Sequence, residues 1–196
     1  MTMLKLIVGL GNPGSEYAKT RHNAGFWFLE KLASEYGGSW RLEKKFFSEY
    51  AEVNIAGNVV RLIKPQTFMN ASGRAVAAAA NFYRIKAEEI FVAHDELDFA
   101  PGIVKTKFGG GHGGHNGLRD IISALDSRDF YRLRFGIGRP QDKNQVINYV
   151  LKAASKDELE KIDTAIHKAL AAMKIIFSEQ NTATGIEKAT QFLHSK

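Results

Sequence analysis

The sequence predicts an α/β fold: a single domain over residues 1–196, with a mixed, mostly parallel twisted sheet flanked by helices and a helical C-terminus. Three observations predict it. Short apolar runs of strand character alternate with segments of helical spacing, the signature of parallel strands joined by crossover helices. One pair of runs instead meets directly at Gly57-Asn58, which adds an antiparallel hairpin. From Ser155 onward the apolar positions follow only the helical period.

The elements follow in order. "LKLIVGL" (4–10) is continuous, apolar and partly β-branched, a buried strand. From Asn23 the positions Phe28, Leu29, Leu32 and Tyr36 repeat as on a helix until Gly37-Gly38 stops it. "EYAEVNIAGNVVRLIK" (49–64) is the hairpin, and Pro65 ends its second strand. "TFMNASGRAVAAAANFY" (67–83) is an alanine-rich helix. "EIFVAHDELD" (89–98) begins as a strand and ends in acid. "GIVKTKF" (102–108) alternates as a strand and runs into a glycine-rich loop. "GLRDIISAL" (117–125) is helical, and "FYRLRFGIG" (130–138) is a strand carrying Arg132 and Arg134 on one face. Ser155-x-x-Glu158 caps a long helix with the stripe Leu159, Ile162, Ile166, Leu170, Met173 and Phe177. Thr184-x-x-Glu187 starts a second, short one. No repeat, low-complexity tract or linker divides the chain.

Composition narrows the function classes. With 44% hydrophobic and 24% charged residues, the chain has the make-up of an ordinary globular protein. No apolar run approaches the roughly 20 residues that span a bilayer, and "LKLIVGL" lacks signal-peptide organisation. The absence of cysteine excludes disulfides, a thiolate nucleophile and cysteine-ligated metal. These features suit a cytoplasmic protein with no membrane partner. The net charge of +6 makes an acidic partner plausible. The charge is also concentrated. Between Ile103 and Lys143, eight cations (Lys105, Lys107, Arg119, Arg128, Arg132, Arg134, Arg139 and Lys143) face four carboxylates. Such a stretch is either a solvated basic face or a phosphate-binding surface.

Residues 9–14, Gly9-Leu10-Gly11-Asn12-Pro13-Gly14, satisfy the G-x-G-x-x-G pattern of dinucleotide binding. In that fold the glycines open directly into a helix whose N-terminus holds the pyrophosphate. Here polar, unperiodic "SEYAKTRH" intervenes, and Pro13 stiffens the segment, so the glycines read as a tight turn at a strand's end. "KPQTFMNASG", "AHDELD" and "FGGGHGGHNG" also follow strands. In a mainly parallel sheet these loops gather at one edge, offering Asn12, His22, Asn70, Asp95, His115 and Asn116. Taken singly, each residue has a plainer reading: a structural histidine, a solvated acidic turn, or asparagines that cap local backbone. His112 and His115, three apart in glycine, lack a complete metal-ligand set.

Together the motifs are distinctive. "VGLGNPGSEYAKTRHNAG", "KPQTFMNASG", "HDELD", "GGGHGGHNGLRDI" and "RLRFGIGRP", in this order and spacing, closely resemble bacterial peptidyl-tRNA hydrolase over nearly the whole chain. The resemblance implies a monomeric esterase without metal or cofactor. Its substrate is peptidyl-tRNA, bound by the 3′ end and acceptor stem, and its reaction returns tRNA to translation. It also implies site roles: His22 as general base, Asp95 as its partner, and Asn12 as the discriminator of blocked from unblocked substrates. Asn70 and Asn116 match substrate-binding amides, and Tyr17 and Phe68 match residues lining the site around the tRNA end. Lys107 and Arg134 match a phosphate clamp and fall within the basic stretch. Two rival expectations are an NAD(P)-dependent oxidoreductase built on residues 9–14 and a non-catalytic RNA-binding module of the same fold.

Overall fold

A computed structural model describes residues 2–195. The chain builds a seven-stranded mixed sheet in the order β2-β3-β4-β1-β5-β7-β6. Four strands are mutually parallel and central: β1 (Leu6–Gly9), β4 (Asn58–Pro65), β5 (Ile90–Glu96) and β7 (Tyr131–Gly136). The antiparallel strands lie outside them. β2 (Arg41–Glu43) and β3 (Ser48–Ile55) extend one side, and β6 (Val104–Phe108) closes the other.

Helices cover both faces because the central strands are apolar on both faces. On one face α1 (Ala24–Glu35), α5 (Lys156–Ser178) and α6 (Thr182–His194) pack against Ile7, Phe91, Ala93, Leu133 and Phe135. On the other, α2 (Ser72–Tyr83) and α3 (Asn116–Leu125) cover Leu6, Val8, Ile63 and Val92. The short α4 (Val146–Val150) stands beside the C-terminal ends of the parallel strands. Among the described residues no helix is long and apolar enough to cross a membrane.

The fold matches the sequence expectation in class, sheet type and helical C-terminus, and departs from it in local detail. The hairpin turns at Ala56-Gly57, both at positive φ, one residue earlier than expected. The alanine-rich helix starts at Ser72, because Met69–Ala71 form a 3-10 turn first. The last helix is capped by Asn181, whose Oδ1 accepts from Thr184 N–H, so it starts before Thr184. The edge strand β2 and helix α4 carry no sequence signal: one has three residues and the other five.

The glycines near the N-terminus serve close packing. A Cβ on Gly9 would lie 2.5 Å from Gly25 O, and one on Gly25 would lie 2.4 Å from Ala93 O. Helix α1 therefore sits almost on the ends of β1 and β5. It begins at Ala24, ten residues beyond Gly14, so the glycine pattern opens no helix and forms no pyrophosphate cradle.

Candidate active site

Parallel β1, β4, β5 and β7 end at the same sheet edge, where an open α/β sheet places its ligands. The loops after them wall a cleft of about 500 Å³. It gathers Asn12, Tyr17, His22, Phe68, Asn70, Asp95, His115 and Asn116, all named from sequence, together with the apolar α4 residues Ile147 and Val150. Lys107 and Arg134 are not in its wall.

Asp95 is the pivot of the cleft. Strand alternation puts it on the α1 face of β5, with Phe91 and Ala93, as the strand's next-to-last residue before Glu96. It is 2% exposed. From the α1 side, His22 brings Nδ1 within 2.9 Å of Asp95 Oδ2. From the opposite side, His115, the N-cap of α3, brings Nε2 within 2.8 Å of Asp95 Oδ1. One carboxylate thus joins two imidazoles that approach over the sheet edge from different layers.

The hydrogen bonds fix the tautomers. His115 Nδ1 accepts from Gly117 N–H and Leu118 N–H, so its proton stands on Nε2 and is donated to Asp95. His22 donates from Nδ1, which leaves Nε2 as its free lone pair. Burial alone would lower the His22 pKa, but the Asp95 charge and hydrogen bond outweigh it and the net shift is upward. Burial likewise opposes ionisation of Asp95, yet His22 and His115 hold its carboxyl well below the usual range. A carboxylate-backed imidazole of this kind can take a proton from water.

The segment carrying His22 is rigidly held. The preceding Arg21 makes a two-pronged ion pair with Glu158 of α5, donates to Tyr149 O and stacks over the Tyr149 ring. The following Asn23 locks the Asn12 backbone, accepting from Asn12 N–H at 2.8 Å and donating to Asn12 O at 3.0 Å. Asn12 Oδ1 accepts from Met69 N–H at 2.7 Å, which fixes the amide's orientation, and its NH₂ group has no protein partner among the described residues. Asn70 is exposed in the cleft wall. Asn116, also exposed, accepts from Arg119 through Oδ1. Tyr17 and Phe68 meet edge to face at the rim, with Phe68 60% exposed.

Two participants were not singled out by sequence. Arg21 is hidden because its partner Glu158 lies 137 residues away, and Asn23 because nothing local marks its pairing with the Asn12 backbone. His115 was named among the residues at the sheet edge but assigned no part. The loop "FGGGHGGHNG" does reach the cleft, although not for the expected reason. It leaves β6, which runs antiparallel, from the far edge of the sheet, then crosses the face of β7 to α3.

His22, Asp95 and His115 also form the one group of metal-ligand size among the described residues, with ligand atoms within 4.8 Å of one another. Those atoms are already engaged with each other in N–H to carboxylate hydrogen bonds, and His115 Nδ1 is engaged with backbone.

Lys107 and Arg134 lie on the α3-side face of the β6–β7 pair. Cross-strand register sets Lys105 opposite Arg134 and Lys107 opposite Arg132, so four cations share one face. Lys107 is exposed, whereas Arg134 donates to Thr106 O and stands 3.8 Å from Glu96.

Fold and site together define a mixed-sheet α/β protein with an imidazole–carboxylate centre and a separate cationic face. Comparison narrows this class. The peptidyl-tRNA hydrolase family profile matches residues 6–195. Peptidyl-tRNA hydrolase of Dichelobacter nodosus is 54% identical over 193 residues, covering 98% of this chain and 100% of that one. The enzyme of Neisseria meningitidis serogroup A is 54% identical, covering 98% of both. The crystal structure of peptidyl-tRNA hydrolase from Acinetobacter baumannii superposes with a TM-score of 0.93 at 47% identity, covering 100% of this chain and 96% of that one. The chain belongs to the peptidyl-tRNA hydrolase family.

Proposed function

We propose that the chain hydrolyses the ester between a peptide's C-terminal carboxyl and the terminal ribose of tRNA, with His22 and Asp95 at the reacting centre. The observation that carries this reading is the His22–Asp95 contact of 2.9 Å in the wall of the cleft, in a chain of this hydrolase family. The reaction needs an activated water, a stabilised oxyanion and a protonated leaving hydroxyl. His22 Nε2 takes the proton from water as it attacks the ester carbonyl, and Asp95 stabilises the imidazolium that forms. The same imidazolium then returns a proton to the departing ribose oxygen. The side-chain amides of Asn70 and Asn116 supply N–H donors for the ester and the peptide.

Asn12 distinguishes peptidyl- from aminoacyl-tRNA through what it can offer. Its oxygen already accepts from Met69 N–H, which orients the NH₂ group as the donor offered to substrate. That donor pairs with a peptide carbonyl and gives nothing to the ammonium of an unblocked amino acid. Tyr17 and Phe68 provide aromatic faces for the terminal base. Lys107 and Arg134 take a phosphate of the acceptor stem, leaving the 3′ end to reach the cleft. The chain acts as a monomer and a single domain, in the cytoplasm, where its substrate arises.

Turnover of N-acetylaminoacyl-tRNA tests the reading. Release of free tRNA and the N-acetyl amino acid is expected, with little action on the unblocked ester. Tight tRNA binding without turnover would point instead to a non-catalytic RNA-binding module.

A further inference from the structure

Arg132 is the second residue of β7 and is 2% exposed, yet no carboxylate pairs with it among the described residues. Its guanidinium donates to Gly110 O at 2.6 Å and to Gly111 O at 2.5 Å and stands over the Phe130 ring, while its Nε has no partner. Burial, then the nearby Arg134 and Arg128 charges, disfavour its ionised form, against a smaller opposing pull from Glu96. A buried cation with no ion-pair partner beside two like charges is unfavourable on its own account. Its two carbonyl contacts are what the position provides.

Those carbonyls belong to the loop that ends at His115. Gly109, Gly110, Gly113 and Gly114 all have positive φ, a run with little stiffness of its own. Gly109 N–H pairs with Phe130 O at the loop's start. At its end Gly114 N–H donates to His112 Nδ1 and His115 N–H to His112 O, contacts internal to the loop. Between these points the Arg132 fork is the loop's only hydrogen-bonded attachment to the sheet among the described residues. His94 lies on the same sheet face as Arg132, and its ring meets His115 edge-on at 5.1 Å. It is fully buried and held neutral, so it adds packing and no competing charge.

We infer that Arg132 is a positioning residue: it pins Gly110–Gly111 to β7 and thereby sets where His115 meets Asp95. The inference rests on the reading of His22 and Asp95 given above. A small displacement of His115 alters the hydrogen bonding of the carboxylate on which His22 depends, and small displacements at a reacting centre are costly in rate.

The test uses Arg132→Lys, which keeps the charge but cannot present two parallel N–H groups to both carbonyls, and Arg132→Met, which removes the charge. On N-acetylaminoacyl-tRNA, Arg132→Lys should lower kcat by about tenfold with KM almost unchanged, and Arg132→Met should lower it further. In a His115→Asn background, Arg132→Lys should cost little more, since the path through His115 is already broken. The ring resonances of His115 should shift in Arg132→Lys, while amide signals of β1 and α1 stay in place. This spectrum needs no turnover, so it separates a failure here from a failure of the functional reading. If Arg132→Met does not fold, Arg132→Lys carries the test alone. Unmoved His115 resonances, losses that add in the double variant, or a rise in KM alone would overturn the inference; the last would make Arg132 part of the anion-binding face.

Discussion

The cleft and the β6–β7 face handle charge in opposite ways. In and behind the cleft, charges are mated: Asp95 lies between two imidazoles, and Arg21 is forked onto Glu158. On the β6–β7 face, like charges oppose one another across the strands, an arrangement that by itself destabilises a sheet. Glu96, 3.8 Å from Arg134, is the one carboxylate within ion-pair distance of Lys105, Lys107, Arg132 and Arg134 among the described residues. The difference separates two tasks. A mated charge in a poorly solvated place tunes the proton affinity of its partner. Unmated charges of one sign create a field that an anionic ligand completes.

If that division holds, the largest effects on rate belong to the cleft. His22→Ala should fold normally and lower hydrolysis by about 10²–10⁴, roughly 3–5 kcal/mol of barrier. Near-normal turnover by the purified, folded variant would remove His22 from the centre. Asp95→Asn comes next, with a loss toward the lower end of the range of about 10²–10⁴ typical of acid–base groups, and it also predicts a direction in pH. Activity requires His22 without its proton, so the acid limb of kcat/KM follows the His22 pKa. Asp95 holds that pKa up; without its charge, burial pulls it down. The acid limb should therefore move to lower pH in the variant. An unmoved limb would mean that another group governs it.

The two regions also differ in how far they could be read from sequence. The order of strands and helices was legible because period and turn chemistry are local. So were the members of the cleft, because their motifs are contiguous. What local signals cannot carry is pairing at a distance. The Arg21–Glu158 ion pair spans 137 residues and the His22–Asp95 pair spans 73. His115 illustrates the limit. It is supplied by a loop whose path depends on β6 being antiparallel, and neither the strand's direction nor the fork of Arg132 is written in the glycines. β2 was missed because three residues give no period, and α4 because it is shorter than two helical turns.

The cationic face should respond in affinity rather than rate. Lys107→Ala and Arg134→Ala should each raise KM for full-length substrate by roughly fivefold, the worth of about 1 kcal/mol, and leave kcat unchanged. Each should also reduce the slope of log affinity against log salt by about one phosphate contact. Lys107 should give the larger effect, since Arg134 is already partly engaged by Thr106 O and Glu96. Short substrates without the acceptor-stem phosphate should hardly distinguish either variant from the parent. Equal losses on long and short substrates would merge the two regions that the charge pattern separates.

The smallest expected effect is none, on exhaustive chelation of the enzyme before assay. His22, Asp95 and His115 could in principle hold a divalent ion, since their ligand atoms lie within 4.8 Å of one another. To do so, His22 Nδ1 and His115 Nε2 would each surrender the proton now donated to Asp95. His115 could not simply turn to its other tautomer, because Nδ1 accepts the free N–H groups at the start of α3. Metal and hydrogen-bonded arrangements are therefore alternatives for the same atoms, and only the second leaves Asp95 free to support an imidazolium on His22. Chelation should leave kcat/KM intact, and added Zn²⁺ should inhibit by competing for the ring nitrogens. Loss of activity on chelation, with recovery on adding Zn²⁺ back, would show that the mated charges of the cleft serve an ion and not a proton.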